Sequence, residues 1–334
     1  MLIDCFPGFN EFELAEFRIE YLSELVDLVI IAESSLTHSG DSKDLYFAEW
    51  LDSKPMLKNR VRVIEVHLSA ASTHWEREIT TRETLIKYAA KEFPNGKFIL
   101  SDLDEIPSRK QVESFLKSNG CFHYITPSTY RFANWHLLDG HSSWKLGVMG
   151  DASIADLPNG GRKEKLAVLK APDEGLHFSY LRHDAAKLEF KLRSFAHQEL
   201  NFPEMYSPST LQFADFYQID HLGRFQRRGK GLLKTQSKNE LSAIQAEALK
   251  FEPSWFNFNS PLVSTSQRKF ASLIITTIAM NKRHAGILFT KFILGNNKSF
   301  LNSSIAYLLL VKTWWGSYLA QIKQIIRKLI WKRF

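Results

Sequence analysis

The chain has 334 residues, 44% of them hydrophobic and 24% charged. These are the proportions of a globular protein with a sizeable core, which exclude a collagen-like or compositionally disordered chain. The net charge of +7 is unevenly spread: residues 251–334 hold twelve Lys or Arg against one acid, Glu252, so the rest of the chain is slightly acidic. A basic segment of this kind predicts an anionic partner, a membrane surface or a nucleic acid. The two cysteines, Cys5 and Cys121, form no Cys-x-x-Cys pair. A zinc-ribbon or a disulfide scaffold is therefore not expected.

In chain order, the N-terminus lacks a basic region followed by an apolar stretch, so no signal peptide is expected. No run of 18 uncharged apolar residues is present, so no transmembrane helix is expected. Leu2–Cys5 reads as a short strand ended by Pro7-Gly8. Leu14, Phe17, Tyr21 and Leu25 are spaced for one helical face. Leu28–Ala32 is a continuous apolar run, as in a strand buried on both faces. Val61–Val66 is a further strand. Thr73 with Glu76 makes a capping-box signal for a helix over roughly 75–92.

After the Pro94-Asn95-Gly96 turn, Lys97–Leu100 is a strand running into Ser101-Asp102-Leu103-Asp104-Glu105. Ser108 and Gln111 form a second capping-box signal, for a helix ending near Gly120. Residues 121–180 read as shorter strands and loops, with a turn at Asn159-Gly160-Gly161. Residues 185–198 read as a helix. The alternation of strands and helices predicts an α/β fold with a mostly parallel sheet and helices on both faces. The catalytic domain is expected over 1–235 and a basic, mainly helical extension over 236–334.

Asp102 and Asp104 carry the chemistry. In open parallel sheets ligands bind beyond the carboxyl ends of the strands. Carboxylates at i and i+2 past such an end can converge on one divalent cation, and hard oxygen donors suit Mg²⁺ or Mn²⁺. His177, in an apolar strand-like stretch, is a candidate third ligand. His197 and Glu199, two apart on a predicted helix, do not share a face and are a poor pair for one metal. Arg77 and Arg82, on the helix before the Asp-x-Asp strand, read as solvated arginines or as phosphate contacts.

Five ordered blocks then resemble glycosyltransferase family 17: IDCFPGFNEFELAEFRIEYLSELVDLVIIAES, WEREITTRE, FILSDLDEIPS, GLHFSY and KLRSFAHQELNFPE. They cover about 1–230, while 250–334 resembles nothing recognised. The resemblance implies a GT-A-like, Rossmann-type fold, a UDP-sugar donor, most often UDP-N-acetylglucosamine, and inversion at the anomeric carbon. It implies that Asp102 and Asp104 form the metal and diphosphate site, that His177 completes the metal shell, and that Asp4, Glu33, Arg77 and Arg82 line the nucleotide pocket. Two departures stand out. Gly175-Leu176-His177 replaces the family's usual Gly-Trp-His, which predicts loss of an aromatic there. The segment SSWKLGVMGDASIADLP matches poorly, so the acceptor, a glycan or lipid-linked glycan, stays open.

Inversion requires a carboxylate to take the acceptor's proton. Glu105, Asp151, Asp173 and Glu174 are the candidates. In 319–334, Leu319, Ile322, Ile326, Leu329 and Ile330 share a helical face and basic residues crowd the rest, a pattern expected of membrane-surface helices. No nucleic-acid module is recognised, and nucleic acid is not expected as a partner. The expected location is the cytoplasm, peripheral at the cytoplasmic face of the membrane. A metal-dependent hydrolase and a non-catalytic sugar-binding relative remain as alternatives.

Overall fold

The computed structural model describes residues 1–138, 143–181, 184–222, 231–259 and 263–280. The amphipathic segment 319–334 therefore lies outside the described residues. One compact unit runs from Met1 to Thr276.

The first half alternates as the apolar runs dictate. It runs β1 (Leu2–Pro7), α1 (Phe12–Tyr21), β2 (Leu28–Glu33), α2 (Tyr46–Asp52), β3 (Val61–Glu65), α3 (His74–Glu92), β4 (Lys97–Leu100), β5 (Glu105–Ile106) and α4 (Arg109–Leu116). Both capping boxes form: the Thr73 hydroxyl accepts from the Glu76 amide at the start of α3, and the Ser108 hydroxyl accepts from the Gln111 amide at the start of α4. Short strands follow, as expected: β6 (Phe122–His123), β7 (Thr126–Tyr130), β8 (Phe132–Leu137), β9 (Ser143–Trp144), β10 (Val148–Asp151), β11 (Ala167–Val168) and β12 (Leu176–Ser179). The remainder is α5 (Ala185–Ser194), α6 (Pro203–Tyr206), α7 (Pro208–Tyr217), β13 (Leu233–Thr235), α8 (Ala243–Phe251) and α9 (Thr265–Met280).

A seven-stranded sheet has the order β11-β6-β10-β4-β1-β2-β3. Its centre is parallel, with β1 paired to both β2 and β4, and β2 to β3. The antiparallel β10 then joins β4 to β6. Side chains alternate across this sheet. Leu2, Phe6, Val29, Ile31 and Ile99 pack on one face with residues of α1, α2, α4 and α8. Ile3, Cys5, Ile30, Phe98 and Leu100 pack on the other with Leu85, Ile86 and Ala89 of α3. Helices thus cover both faces, which is why Leu28–Ala32 of β2 reads as an unbroken apolar run.

A second sheet, β13-β8-β7-β12-β5 with β9 beside β7, is mainly antiparallel and was not foreseen in the expectation of one mostly parallel sheet. The expected helix 185–198 ends early, at Ser194, so His197 stands in the loop before a short turn. Beyond 235, Ile244, Ala248, Trp255 and Phe256 join the same core as α1.

Candidate active site

The chain runs from β1 outward through β2 and β3, then crosses back to place β4 on the other side of β1. The carboxyl ends of β1 and β4 therefore flank a topological switch point, where open α/β sheets bind ligands. A cleft of about 300 Å³ opens there. Gly8 lies at its edge, where a Cβ would meet Phe47 Cδ2 at 2.5 Å and Ile31 Cγ2 at 2.6 Å.

The Ser101–Glu105 loop is held from below by Arg18, a residue with no exposed surface. Its Nη1 donates to the carbonyls of Asp102 (2.8 Å), Leu103 (3.2 Å) and Glu105 (3.3 Å), and its Nη2 to Ser101 Oγ (2.9 Å). Asp4 balances its charge, accepting from Nε at 2.8 Å and Nη2 at 2.6 Å. Asp4 is fully buried and does not line the cleft, contrary to its expected place in a nucleotide pocket. It acts through Arg18 on the loop above.

The two aspartates, expected to converge, face different partners. Asp102 turns toward α3. It accepts from Arg82 Nε and Nη2 (2.9 and 2.8 Å) and from Arg162 Nη2 (2.6 Å). Burial pushes its carboxyl up, but Arg162 and Arg82 together pull it below the usual carboxylate range. Asp104 turns toward β12 and α5. Its Oδ1 lies 3.6 Å from His177 Nε2, and its Oδ2 lies 3.7 Å from Lys191 Nζ. Burial raises this carboxyl too, and His177 with Lys191 outweigh burial and hold it well below the usual range. His177 Nδ1 pairs with Ser128 Oγ at 3.1 Å, which fixes the ring with Nε2 toward Asp104.

Among the described residues no three His, Cys, Asp or Glu side chains gather closely enough to hold a metal ion. Asp104 and His177 do offer one hard oxygen and one imidazole nitrogen facing each other, a donor pair that suits Mn²⁺ or Mg²⁺ when substrate oxygens complete the shell. Asp102, saturated by two guanidinium groups, is not available as a third. Six carboxylates (Glu11, Glu33, Glu78, Asp102, Asp104, Glu105) line the cleft with five cations (Lys43, Arg82, Arg162, Lys163, Lys191), one negative charge in excess with the histidines neutral.

Glu105 anchors this network. It is 1% exposed, accepts from Arg162 Nη1 and Nη2 (both 2.6 Å), from the indole N–H of Trp144 and from the Asp102 amide (3.1 Å). With both oxygens committed, it is ill placed to take a proton, so its expected role as a base gives way to anchoring. Asp151 pairs in register with Lys97, at the opposite end of β4 from Asp102. Asp173 and Glu174 are exposed and outside the cleft. Two of the three remaining carboxylates of the cleft are Glu78, 2.7 Å from Arg82 Nη1, and Glu11, 3.0 Å from Lys191 Nζ.

Glu33 lines the cleft but works locally. One oxygen accepts from Lys43 Nζ (2.9 Å), and the other from the Phe47 and Ala48 amides (2.8 and 3.2 Å) at the start of α2. Arg77 lies outside the cleft lining, its guanidinium donating to the carbonyls of His38 (2.8 Å), Ser69 and Ala70 (both 3.3 Å) and Ser72. It staples two loops together. His197 lines the cleft edge-on to Trp75, with ring centroids 4.8 Å apart. The side chain of Glu199 lies outside the described residues.

The family model of glycosyltransferase family 17 matches residues 2–214. The chain belongs to glycosyltransferase family 17. It is 30% identical over 117 residues to the human beta-1,4-mannosyl-glycoprotein 4-beta-N-acetylglucosaminyltransferase, covering 32% of this chain and 22% of that protein. The Rattus norvegicus protein of the same name matches with the same identity and coverage. The chain thus spans about a fifth of the length of these curated relatives. Among solved structures, HddC from Yersinia pseudotuberculosis matches at a TM-score of 0.30 and 16% identity, over 52% of this chain and 88% of its own. That score is too low for the fold assignment to rest on it.

The family 17 blocks, scattered in sequence, meet around one cleft: Pro7–Phe9, Trp75 to Arg82, Asp102–Glu105, His177 to Tyr180, and Lys191 to His197 all contribute lining residues. The family's Gly-Trp-His aromatic is not missed in the way expected. Leu176 is 2% exposed, pairs with Ile106 and belongs to the core, whereas Trp144 from β9 lies 5.2 Å from the His177 ring. Sequence reasoning passed over Arg162, Lys191, Lys43 and Trp144. Arg162 had a signal, the Asn-Gly-Gly turn before it. Lys191 stood inside a quoted block.

Proposed function

We propose that this chain is an inverting GT-A-type glycosyltransferase moving N-acetylglucosamine from UDP-N-acetylglucosamine to a glycan or lipid-linked glycan. The observation that carries this reading is the Asp104–His177 pair at the open end of β4, flanked by Arg82, Arg162 and Lys191. The relatives' names supply the choice of sugar. Asp104 and His177 would hold a divalent cation, Mn²⁺ or Mg²⁺, which when bound offsets charge growing on the departing diphosphate.

The chain's own residues do the rest. Arg82 and Arg162, oriented by Asp102 and Glu105, present fixed positive charge beside that diphosphate and need no rearrangement during reaction. Ser128 keeps the His177 ring from turning. Glu11 and Glu78 each hold one cation within the cleft, Lys191 and Arg82. The basic segment 251–334 would meet an anionic membrane surface at the cytoplasmic face.

UDP release from UDP-N-acetylglucosamine with manganese, across a panel of glycan and lipid-linked acceptors, tests the reading. Acceptor-stimulated release that EDTA and Asp104→Ala abolish is expected. Release to water alone, insensitive to every acceptor, would favour the hydrolase. No release from folded protein with any UDP-sugar would refute the reading.

A further inference from the structure

The Asn159-Gly160-Gly161 turn holds three consecutive residues at positive φ (50°, 62° and 78°). Asn is the side-chain-bearing residue that best tolerates the left-handed region, and the two glycines that follow adopt it freely. The turn is pinned on several sides. The Asn159 amide donates to Glu83 Oε1 of α3 at 2.9 Å, and the Gly160 amide to the Leu157 carbonyl at 3.0 Å. A Cβ on Gly160 would stand 2.1 Å from Leu100 Cδ2, so the turn lies directly against the last residue of β4. Its far end delivers Arg162 to Asp102 and Glu105.

One atom of this turn is unused. Asn159 is one of the residues lining the cleft, is 6% exposed, and its buried Oδ1 has no hydrogen-bond partner. Buried carboxamide oxygens are almost always paired, so an orphan beside a cleft points to a ligand group that pairs it. That group must donate, as a hydroxyl or an N–H does and a phosphate oxygen does not. Position narrows the choice further. Glu33, which the family resemblance places at the nucleotide, belongs to β2. β2 lies two strands from β4, roughly 10 Å away. With the diphosphate between them at the switch point, the turn meets the part of the donor beyond the phosphates.

We propose that the Asn159–Arg162 turn is the donor-sugar subsite, with the Asn159 carboxamide accepting from a hydroxyl or acetamido N–H of the sugar while Arg162 stands at its phosphate side. This rests on the nucleotide-sugar reading above. Asn159 is a specificity-determining residue, and the left-handed turn holds it and Arg162 on either side of the sugar–phosphate junction.

Calorimetric titration of UDP and UDP-N-acetylglucosamine with manganese, on wild type and Asn159→Gly, tests this. Glycine keeps the left-handed backbone and removes only the carboxamide. UDP affinity should stay within about twofold, while UDP-N-acetylglucosamine affinity falls about tenfold, the worth of one buried hydrogen bond. Equal losses for both ligands, or no loss for either, would overturn the assignment. Hydrogen exchange on wild type gives a reading independent of the variant's folding. Added protection over 157–162 with the UDP-sugar, beyond that with UDP, is expected; equal protection by the two overturns the proposal. Wild type that binds neither ligand would instead overturn the nucleotide-sugar reading, and this inference with it.

Discussion

Arg18 shows how a residue outside the cleft can govern it. Its guanidinium ties Asp4 on β1 to three carbonyls of the loop that carries Asp102 and Asp104. Arg18→Met leaves the Asp4 carboxylate buried and uncompensated, which should cost about 3–5 kcal/mol in urea unfolding. The double variant Arg18→Met/Asp4→Leu should regain part of that stability without regaining donor binding, because the loop carbonyls stay unheld. Equal stability of Arg18→Met and wild type would contradict the account. From sequence, Arg18 was one more basic residue on a helix, since its partners lie 14 and more than 80 positions away. The position of Asp102 after an apolar strand was legible, placing it at the mouth of the cleft. Its two arginine partners were not, since they come from segments 20 and 60 positions distant.

Two histidines set a pH dependence at this same scale. Burial pushes His38 and His136 down from the ordinary 6.5, each to about 4. As pH falls below 6.5 the unfolded chain takes up protons at these sites while the folded chain refuses them until about pH 4. Their stabilisation is therefore complete above pH 6.5 and lost progressively down to 4. Urea midpoints measured from pH 8 to 4 should fall across that window, and less steeply in the double variant His38→Gln/His136→Gln. An unchanged slope in the variant would count against this assignment.

At the scale of elements, local signals were read well where they were complete within a few residues. Thr73 with Glu76 and Ser108 with Gln111 fixed the starts of α3 and α4, because a capping box needs only four residues to form. The end of α5 was misplaced. The apolar spacing continues through Phe195, but the chain leaves helical geometry there to bring His197 against Trp75. The Asn159–Gly161 turn was legible as a turn and not as a left-handed platform. Gly160→Ala should destabilise by about 1–3 kcal/mol, since alanine at φ +62° is strained and its Cβ strikes Leu100. Thermal unfolding of Gly160→Ala beside Gly120→Ala separates the causes. Gly120 is also at positive φ but has open space around its Cβ position, so the smaller loss is expected there.

On the scale of the whole molecule, the seven-stranded sheet was largely legible and the second sheet was not. β1, β2 and β4 are buried on both faces, so burial alone marks them. β7 and β8 form a local hairpin, but β5, β12 and β13 are short and join that sheet across long sequence separations, as when Leu233 meets Leu137. No local period encodes such pairing. That sheet matters to the site because the pairing of β12 with β5 and β7 brings His177 to Asp104 and Ser128. The cleft is thus assembled by the meeting of two sheets, and its charge balance, one carboxylate in excess, follows from side chains that no single element supplies.

The central claim is that Asp104 and His177 complete a donor site only together with a divalent cation and a UDP-sugar. Thermal-shift titration of UDP-N-acetylglucosamine with and without manganese, on wild type and Asp104→Ala, tests it most directly. The account predicts stabilisation of wild type that requires manganese and is absent in Asp104→Ala. Stabilisation of equal size without the metal, or retained in the variant, would contradict it.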